Sequence, residues 1–331
     1  MPTLRAAAFM KTFGLTYPIV NAGMGSLAGP DLAIAVSNAG GLGATGLTGG
    51  NFNEATLRAG LGRIRAATKR LFAVNYLLAY GEPKSLPVAL DAGAPVVQFA
   101  WGIPTAEHIA AVRGAGAKMG IQVGSPDGAK RALDAGADYL ICQGLEAGGH
   151  VQSTMALSDY LPRAIEEAKS VPVLAAGGIS HGSHIRRVLV AGASGVLVGT
   201  RFVATQEAFA HDEYKAAITR ATASDTVMTV CFQDGWPNAP HRVLRNRTLT
   251  MWEAAGCPPP GQRPGEGDVL TTNAATGATR IRYRVGMPAP NDRGAVLEMG
   301  LFAGMGVDAI RDIPSAGEIV VRLWKECVDA R

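Results

Sequence analysis

His150 closes the stretch Leu140-Ile-Cys-Gln-Gly-Leu-Glu-Ala-Gly-Gly-His150. An apolar run there passes into a glycine pair and then into a side chain that titrates near neutral pH. Parallel α/β folds present chemistry in this way, at the carboxyl end of a strand. Gly148 and Gly149 let the backbone approach a ligand closely. Taken alone, the same pattern is equally a turn followed by a solvated histidine. Two further glycine turns, Ala175-Ala-Gly-Gly-Ile179 and Gly199-Thr-Arg-Phe202, also follow apolar runs. The backbone N–H groups around Gly177, Gly178, Gly199 and Thr200 suit a phosphate. Asn75 and Gln122 are amides at the ends of apolar runs, and a buried amide needs partners. They either hydrogen-bond within a rim of strands or read the heteroatom edge of a planar ring. Met24, between two glycines, either fills a gap or sets its backbone against such a ring.

The elements that position these residues follow from a weak repeat. Asn38-Ala-Gly-Gly41, Asp91-Ala-Gly-Ala94, Gly114-Ala-Gly-Ala117, Asp134-Ala-Gly-Ala137 and Ala191-Gly-Ala193 each follow an alanine-rich helical stretch and precede an apolar run. Glycine past the last helical turn is a left-handed cap, so each segment is a helix-to-strand joint. Eight strands are expected: Ile19–Ala22, Gly41–Ala44, Phe72–Asn75, Val96–Phe99, Lys118–Val123, Tyr139–Gln143, Val173–Ala176 and Gly195–Val198. Their apolar runs lack alternation, as in parallel strands covered on both faces. The fold class is therefore α/β, a (β/α)8 TIM barrel, with an open doubly wound sheet as the alternative. After about residue 206 the rhythm stops. Gln233-Asp-Gly-Trp-Pro-Asn-Ala-Pro240, Cys257-Pro-Pro-Pro260 and Gly261-Gln-Arg-Pro-Gly-Glu-Gly267 are loop signals. Residues 1–206 and 300–331 are read as the barrel. Residues 207–299 are read as a smaller substrate or lid domain inserted after strand 8, expected over the catalytic mouth. A last helix, Ser315–Val328, presents Ile319, Val320, Leu323 and Cys327 at helical spacing for packing on the barrel.

Composition narrows the function classes. Apolar residues make up 47% and charged residues 18%, so the 331 residues form a globular protein with a sizeable core. The net charge of +4 is small and the basic residues are scattered, which argues against nucleic acid as a partner. No apolar run is long enough for a membrane span, and no signal peptide is evident, so a cytoplasmic location is expected. Cys142, Cys231, Cys257 and Cys327 are far apart, and no metal site or disulfide framework follows. Cys142 is expected to be a buried thiol.

Together, Asn21-Ala-Gly-Met-Gly25, Ala35-Val-Ser-Asn-Ala-Gly-Gly-Leu-Gly43, Phe72-Ala-Val-Asn75, Gln143-Gly-Leu-Glu-Ala-Gly-Gly-His150, Ala175-Ala-Gly-Gly-Ile179 and Gly199-Thr-Arg-Phe202 resemble the nitronate monooxygenase family, formerly the 2-nitropropane dioxygenases. The same set resembles the flavin-dependent enoyl-acyl-carrier-protein reductases and related NAD(P)H:quinone reductases. The resemblance spans residues 17 to 205 and implies bound FMN. Gly177, Gly178, Gly199 and Thr200 would hold its phosphate. Ala22, Gly23, Met24, Asn75 and Gln122 would meet its ring, with Gly148, Gly149 and Ala176 close by. His150 matches the family's catalytic histidine, and its ordinary pKa near ~6.5 suits a general base. The expected partners are a small-molecule substrate and O2, and the expected assembly is a homodimer. Two activities are compatible: oxidation of nitroalkanes or nitronates with O2 to a carbonyl compound and nitrite, or NAD(P)H-dependent reduction of an enoyl thioester or quinone. Two departures stand out. Val151-Gln152 replaces the usual x-Gly after the histidine, and Ser180-His181-Gly182 replaces an Asp-Gly pair. The second is expected to change only how a helix is capped. Phe99, Trp101 and Trp236 are candidates for lining a substrate pocket.

Overall fold

The computed structural model describes residues 2–47, 52–81 and 83–330. Eight parallel strands form its centre: β1 Ile19–Asn21, β2 Gly43–Leu47, β3 Phe72–Leu77, β4 Val96–Ala100, β5 Lys118–Val123, β6 Tyr139–Gln143, β7 Val173–Ala176 and β8 Gly195–Val198. Neighbours in sequence pair in parallel from β2 to β8, and β8 pairs with β1. A parallel bridge between Val20 and Leu42 joins β1 to the approach of β2 and completes the circle. This is the expected TIM barrel. The second strand starts two residues later than the sequence suggests. Gly40, at φ +100°, and Gly41 are still turning the chain out of the helix Pro30–Asn38.

The barrel interior is filled by small and aromatic side chains. Val20, Ala44, Ala73, Ile141, Leu174 and Leu197 pack there with Tyr139. The first helix, α1 (Leu4–Phe13), contributes Phe9 and Phe13, whose rings lie 5.9 and 5.3 Å from that of Tyr139. Gly120 makes room for Tyr139, since a Cβ at position 120 would lie 2.3 Å from its ring. The Gln98 Nε2 donates to the Tyr139 hydroxyl at 2.9 Å, so Gln98 is a structural amide of the interior. Outside the barrel, the C-terminal helix Ala316–Asp329 buries Ile319, Val320, Leu323 and Cys327, as its spacing predicts. It packs so closely on the helix Gly182–Val190 that a Cβ on Gly182 would sit 2.2 Å from the Cys327 nitrogen. Cys142 is fully buried in β6.

The segment between β8 and the C-terminal helix includes the helices Asp212–Arg220 and Arg247–Ala254 and two antiparallel sheets. The first sheet joins Thr226–Thr229 and His241–Leu244 to Gly149–His150, which comes from the loop after β6. The second joins Val269–Asn273 to Thr279–Ile281 and Asp292–Gly294. Among the described residues no helix is long and apolar enough to cross a membrane.

Candidate active site

The carboxyl ends of the strands open into a cavity of about 490 Å³. Its wall contains each residue expected to serve catalysis or the cofactor: Ala22, Gly23, Met24, Asn75, Gln122, Gly148, Gly149, His150, Ala176, Gly177, Gly178, Gly199 and Thr200. The segment after the barrel adds Trp236, Arg280 and Val285 to Met287 to the same wall. Trp101 lines it too, whereas Phe99 does not. Side chains alternate along β4, so Gln98 and Ala100 take one face and Phe99 the other. Phe99 is buried beneath the surrounding helices with its ring 6.1 Å from that of Tyr76.

The glycine turns bring backbone N–H groups to the cavity wall. Gly177 and Gly178 take φ of +114° and +68°, conformations that favour glycine. The N–H groups of Gly178, Gly199 and Thr200 have no hydrogen-bond partner among the described residues. The N-terminus of the next helix is, by contrast, already satisfied. Ser183 N–H donates to the His181 Nδ1 at 3.1 Å, and Gly182 N–H to Glu326 at 2.9 Å. The Ser180-His181-Gly182 departure therefore does cap a helix. Across the cavity floor, Gly23 is required by its neighbour, because a Cβ there would lie 2.5 Å from the Asn75 Cβ. Gln122 donates to the Gln152 side chain at 3.3 Å, so the Val151-Gln152 departure supplies a direct partner to one of the two predicted ring-binding amides.

His150 is held from three sides. Its residue pairs with His241 across the antiparallel ladder. The Gln143 amide brackets the following turn, donating to the His150 carbonyl at 3.1 Å and accepting from Gln152 N–H at 2.8 Å. The imidazole stacks on Trp236 at 4.0 Å and 20°, with Trp101 at 6.2 Å, Phe302 at 5.4 Å and the His241 ring at 5.1 Å. Its Nε2 is buried with no hydrogen-bond partner among the described residues. Burial among these rings, reinforced by His241, pushes the His150 pKa down to about 3. The ordinary value near ~6.5 expected from sequence is thus not the value this pocket imposes. His241 is itself pushed down to about 4, chiefly by burial. Its Nε2 accepts from Phe232 N–H at 3.2 Å, so Nδ1 carries the proton toward the Ala239 carbonyl at 2.9 Å. Both imidazoles are neutral at pH 7.

Sequence reasoning missed His241, Phe302, Tyr80 and the stretch around Gly304. A signal for the last was present: Ala22-Gly-Met-Gly25 recurs as Ala303-Gly-Met-Gly306. The second copy presses against the loops after β6 and β7. A Cβ on Gly148 would lie 2.3 Å from Gly304 N, and one on Gly306 would lie 2.6 Å from Gly178 O. Gly148 therefore serves backbone packing as well as ligand access. Glu146, in the same motif, accepts from Leu157 N–H at 3.0 and 3.1 Å and caps the helix Leu157–Ala168, whose own cap residue is Ala156.

Known proteins carry related sequences. The nitronate monooxygenase of Pseudomonas aeruginosa is 29% identical, over 93% of this chain and 95% of that protein. The (3aS,4S,5R,7aS)-5-hydroxy-7a-methyl-1-oxo-octahydro-1H-indene-4-carboxyl-CoA dehydrogenase of Rhodococcus jostii is 34% identical over 77% of this chain and 70% of that protein. The crystal structure of a nitroalkane oxidase from Streptomyces ansochromogenes superposes with a TM-score of 0.77 at 29% identity, covering 98% of this chain and 99% of that one. The sequence profile of nitronate monooxygenases matches residues 7–85 and 73–326, which takes in the barrel, the histidine loop and the segment after the barrel. On that span the chain belongs to the nitronate monooxygenase family and is an oxidoreductase.

Proposed function

We propose that this chain binds FMN and oxidises alkyl nitronates, and nitroalkanes through their nitronates, with O2 to a carbonyl compound and nitrite. The observation that carries the reading is the neutral, unpartnered His150 imidazole on the wall of the cavity that also holds the glycine cradle. The fit to a flavin mononucleotide is supported by three N–H donors without partners among the described residues, by the Asn75 and Gln122 amides, and by a volume within the range of small-ligand sites. Bound FMN would supply the electron acceptor and the centre that reacts with O2. Gly178, Gly199 and Thr200 would hold its phosphate, and Asn75 and Gln122 the polar edge of its ring. Ala22, Gly23, Met24, Gly149 and Ala176 would give it close backbone contact.

His150 would then remove the acidic proton next to a nitro group with its neutral imidazole. Trp236 and Trp101 keep the ring in place and exclude water from it. A substrate supplied as its nitronate arrives without that proton, and His150 then only contacts it. Residues 207–299 would act as a substrate lid, a role supported by Trp236, Arg280 and Val285 to Met287 on the cavity wall. Oxygen uptake and nitrite release across a series of small nitronates test the reading. The absence of both with FMN-loaded protein would reject it.

The likeness to a dehydrogenase of a coenzyme A thioester keeps redox chemistry on a thioester as the second reading, in the form of NAD(P)H-dependent reduction of an enoyl thioester or, alternatively, a quinone. Anaerobic mixing separates the two readings. A nitronate bleaches the flavin under the first, and NADH or NADPH under the second.

A further inference from the structure

The arginines after the barrel are not equivalent. Arg263 is held by Asp234 at 2.9 Å and by Glu266, and Arg282 by Asp268 at 3.4 Å and Glu298 at 2.5 Å. Arg280, on the strand Thr279–Ile281, lines the central cavity, and its Nε is buried without a hydrogen-bond partner among the described residues. It makes no ion pair among the described residues. The cavity wall includes no aspartate, glutamate or lysine, and its histidine is neutral, so Arg280 is its one charged side chain among those residues. A partly desolvated guanidinium without a counter-ion is unfavourable, and its planar fork matches the oxygens of an anion.

The surroundings assign that anion to the substrate. The phosphate cradle is closed by the second glycine stretch, with Gly304 N–H donating to the Thr200 hydroxyl at 3.0 Å and Gly306 against Gly178. Arg280 comes from the segment after the barrel, which also brings Trp236 and Val285 to the cavity. The chain leaving it bridges Asp234 through Arg284, and a Cβ on Gly235 would lie 2.9 Å from Val285, beside Trp236.

We infer that Arg280 is the anion receptor of the substrate pocket, gripping an oxyanion that is either the nitronate group itself or a carboxylate or phosphate carried elsewhere on the same molecule. The inference rests on the oxidation proposed above, and its test has a binding arm that needs no turnover. FMN-loaded wild type, Arg280→Gln and Arg280→Lys are titrated with propionate, with inorganic phosphate and with neutral propionamide, following the flavin absorbance. KM is then compared for an alkyl nitronate and for nitronates ending in a carboxylate or a phosphate. Arg280→Gln should weaken at least one of the two anions about tenfold or more, with propionamide unchanged and partial recovery in Arg280→Lys. A KM rise for every nitronate assigns the grip to the reacting group, and a rise confined to the tailed substrates assigns it to the tail. Anion affinity equal in wild type and Arg280→Gln overturns the inference. Loss of FMN from Arg280→Gln also overturns it and gives the residue to the cofactor phosphate. If no nitronate is oxidised while anion binding still depends on Arg280, the activity reading fails and the receptor stands.

Discussion

The depressed pKa of His150 makes a quantitative prediction about the pH profile. A base with the ordinary pKa near ~6.5 is only about 3% neutral at pH 5. A base held at about 3 is about 99% neutral at the same pH. The two cases differ by about thirtyfold in active base, which an initial-rate measurement resolves easily. The assay is oxygen uptake by FMN-loaded protein on a nitroalkane that stays un-ionised across the range. The kcat/KM, corrected for the substrate's own ionisation, should be flat from pH 8 to 5. His150→Asn keeps a polar side chain and removes the proton acceptor. It should lose at least ~10²-fold on the neutral nitroalkane and far less on the ready-made nitronate. FMN content should be unchanged, because the cradle is backbone at Gly178, Gly199 and Thr200. A profile that falls about tenfold per pH unit from near 6.5 would refute the caged, neutral imidazole. Equal losses of the variant on both substrate forms would refute the base.

Stability should follow the same groups in a definite direction. His150 and His241 are both depressed when folded, so the unfolded chain binds protons that the folded one refuses. Each then removes about 1.4 kcal/mol of stability per pH unit below ~6.5, until its own folded value is reached. The melting temperature should fall between pH 7 and 5, and less steeply in His241→Asn; an identical slope in that variant would contradict the assignment. Gly182→Ala places a Cβ 2.2 Å from the Cys327 nitrogen and should destabilise by about 1–3 kcal/mol in denaturant titration. Gly23→Ala drives the new methyl into Asn75 and should lower retention of FMN after gel filtration, with little change in the melt of the cofactor-free protein. Wild-type retention in that variant would argue against Asn75 as a ring-binding residue.

The barrel was legible because each strand is an apolar run bounded by a glycine cap, and both signals are local. So was the place of the glycine turns at the cavity, since a glycine turn at a strand end is visible without knowing what faces it. What escaped was everything fixed by a partner distant in sequence. Glu146 belongs to the histidine motif, yet its side chain caps a helix eleven residues further on, at Leu157 N–H. Gln98 and Phe99 are adjacent in sequence, yet one enters the barrel and the other leaves it. A strand buried on both faces carries no alternation to distinguish them. The pKa of His150 was beyond reach for the same reason. The rings that desolvate it come from positions 101, 236, 241 and 302.

That dependence has a mechanical side. The histidine loop leaves the barrel after β6, but its last two residues are the edge strand of a sheet whose other members are Thr226–Thr229 and His241–Leu244. Val151 N–H extends the ladder to the Pro240 carbonyl at 2.9 Å. Arg242, next to His241, reaches back to the Leu145 carbonyl at 3.0 Å. The segment after the barrel thus sets the backbone of His150 as well as its aromatic surroundings. A displacement of that segment would move Trp236 and His241 away from the imidazole, rehydrate it and raise its pKa, since burial is the main cause of the shift. Position and proton affinity of the candidate base are coupled through one three-stranded sheet, so a substitution that loosens the sheet alters the pH profile as well as the rate.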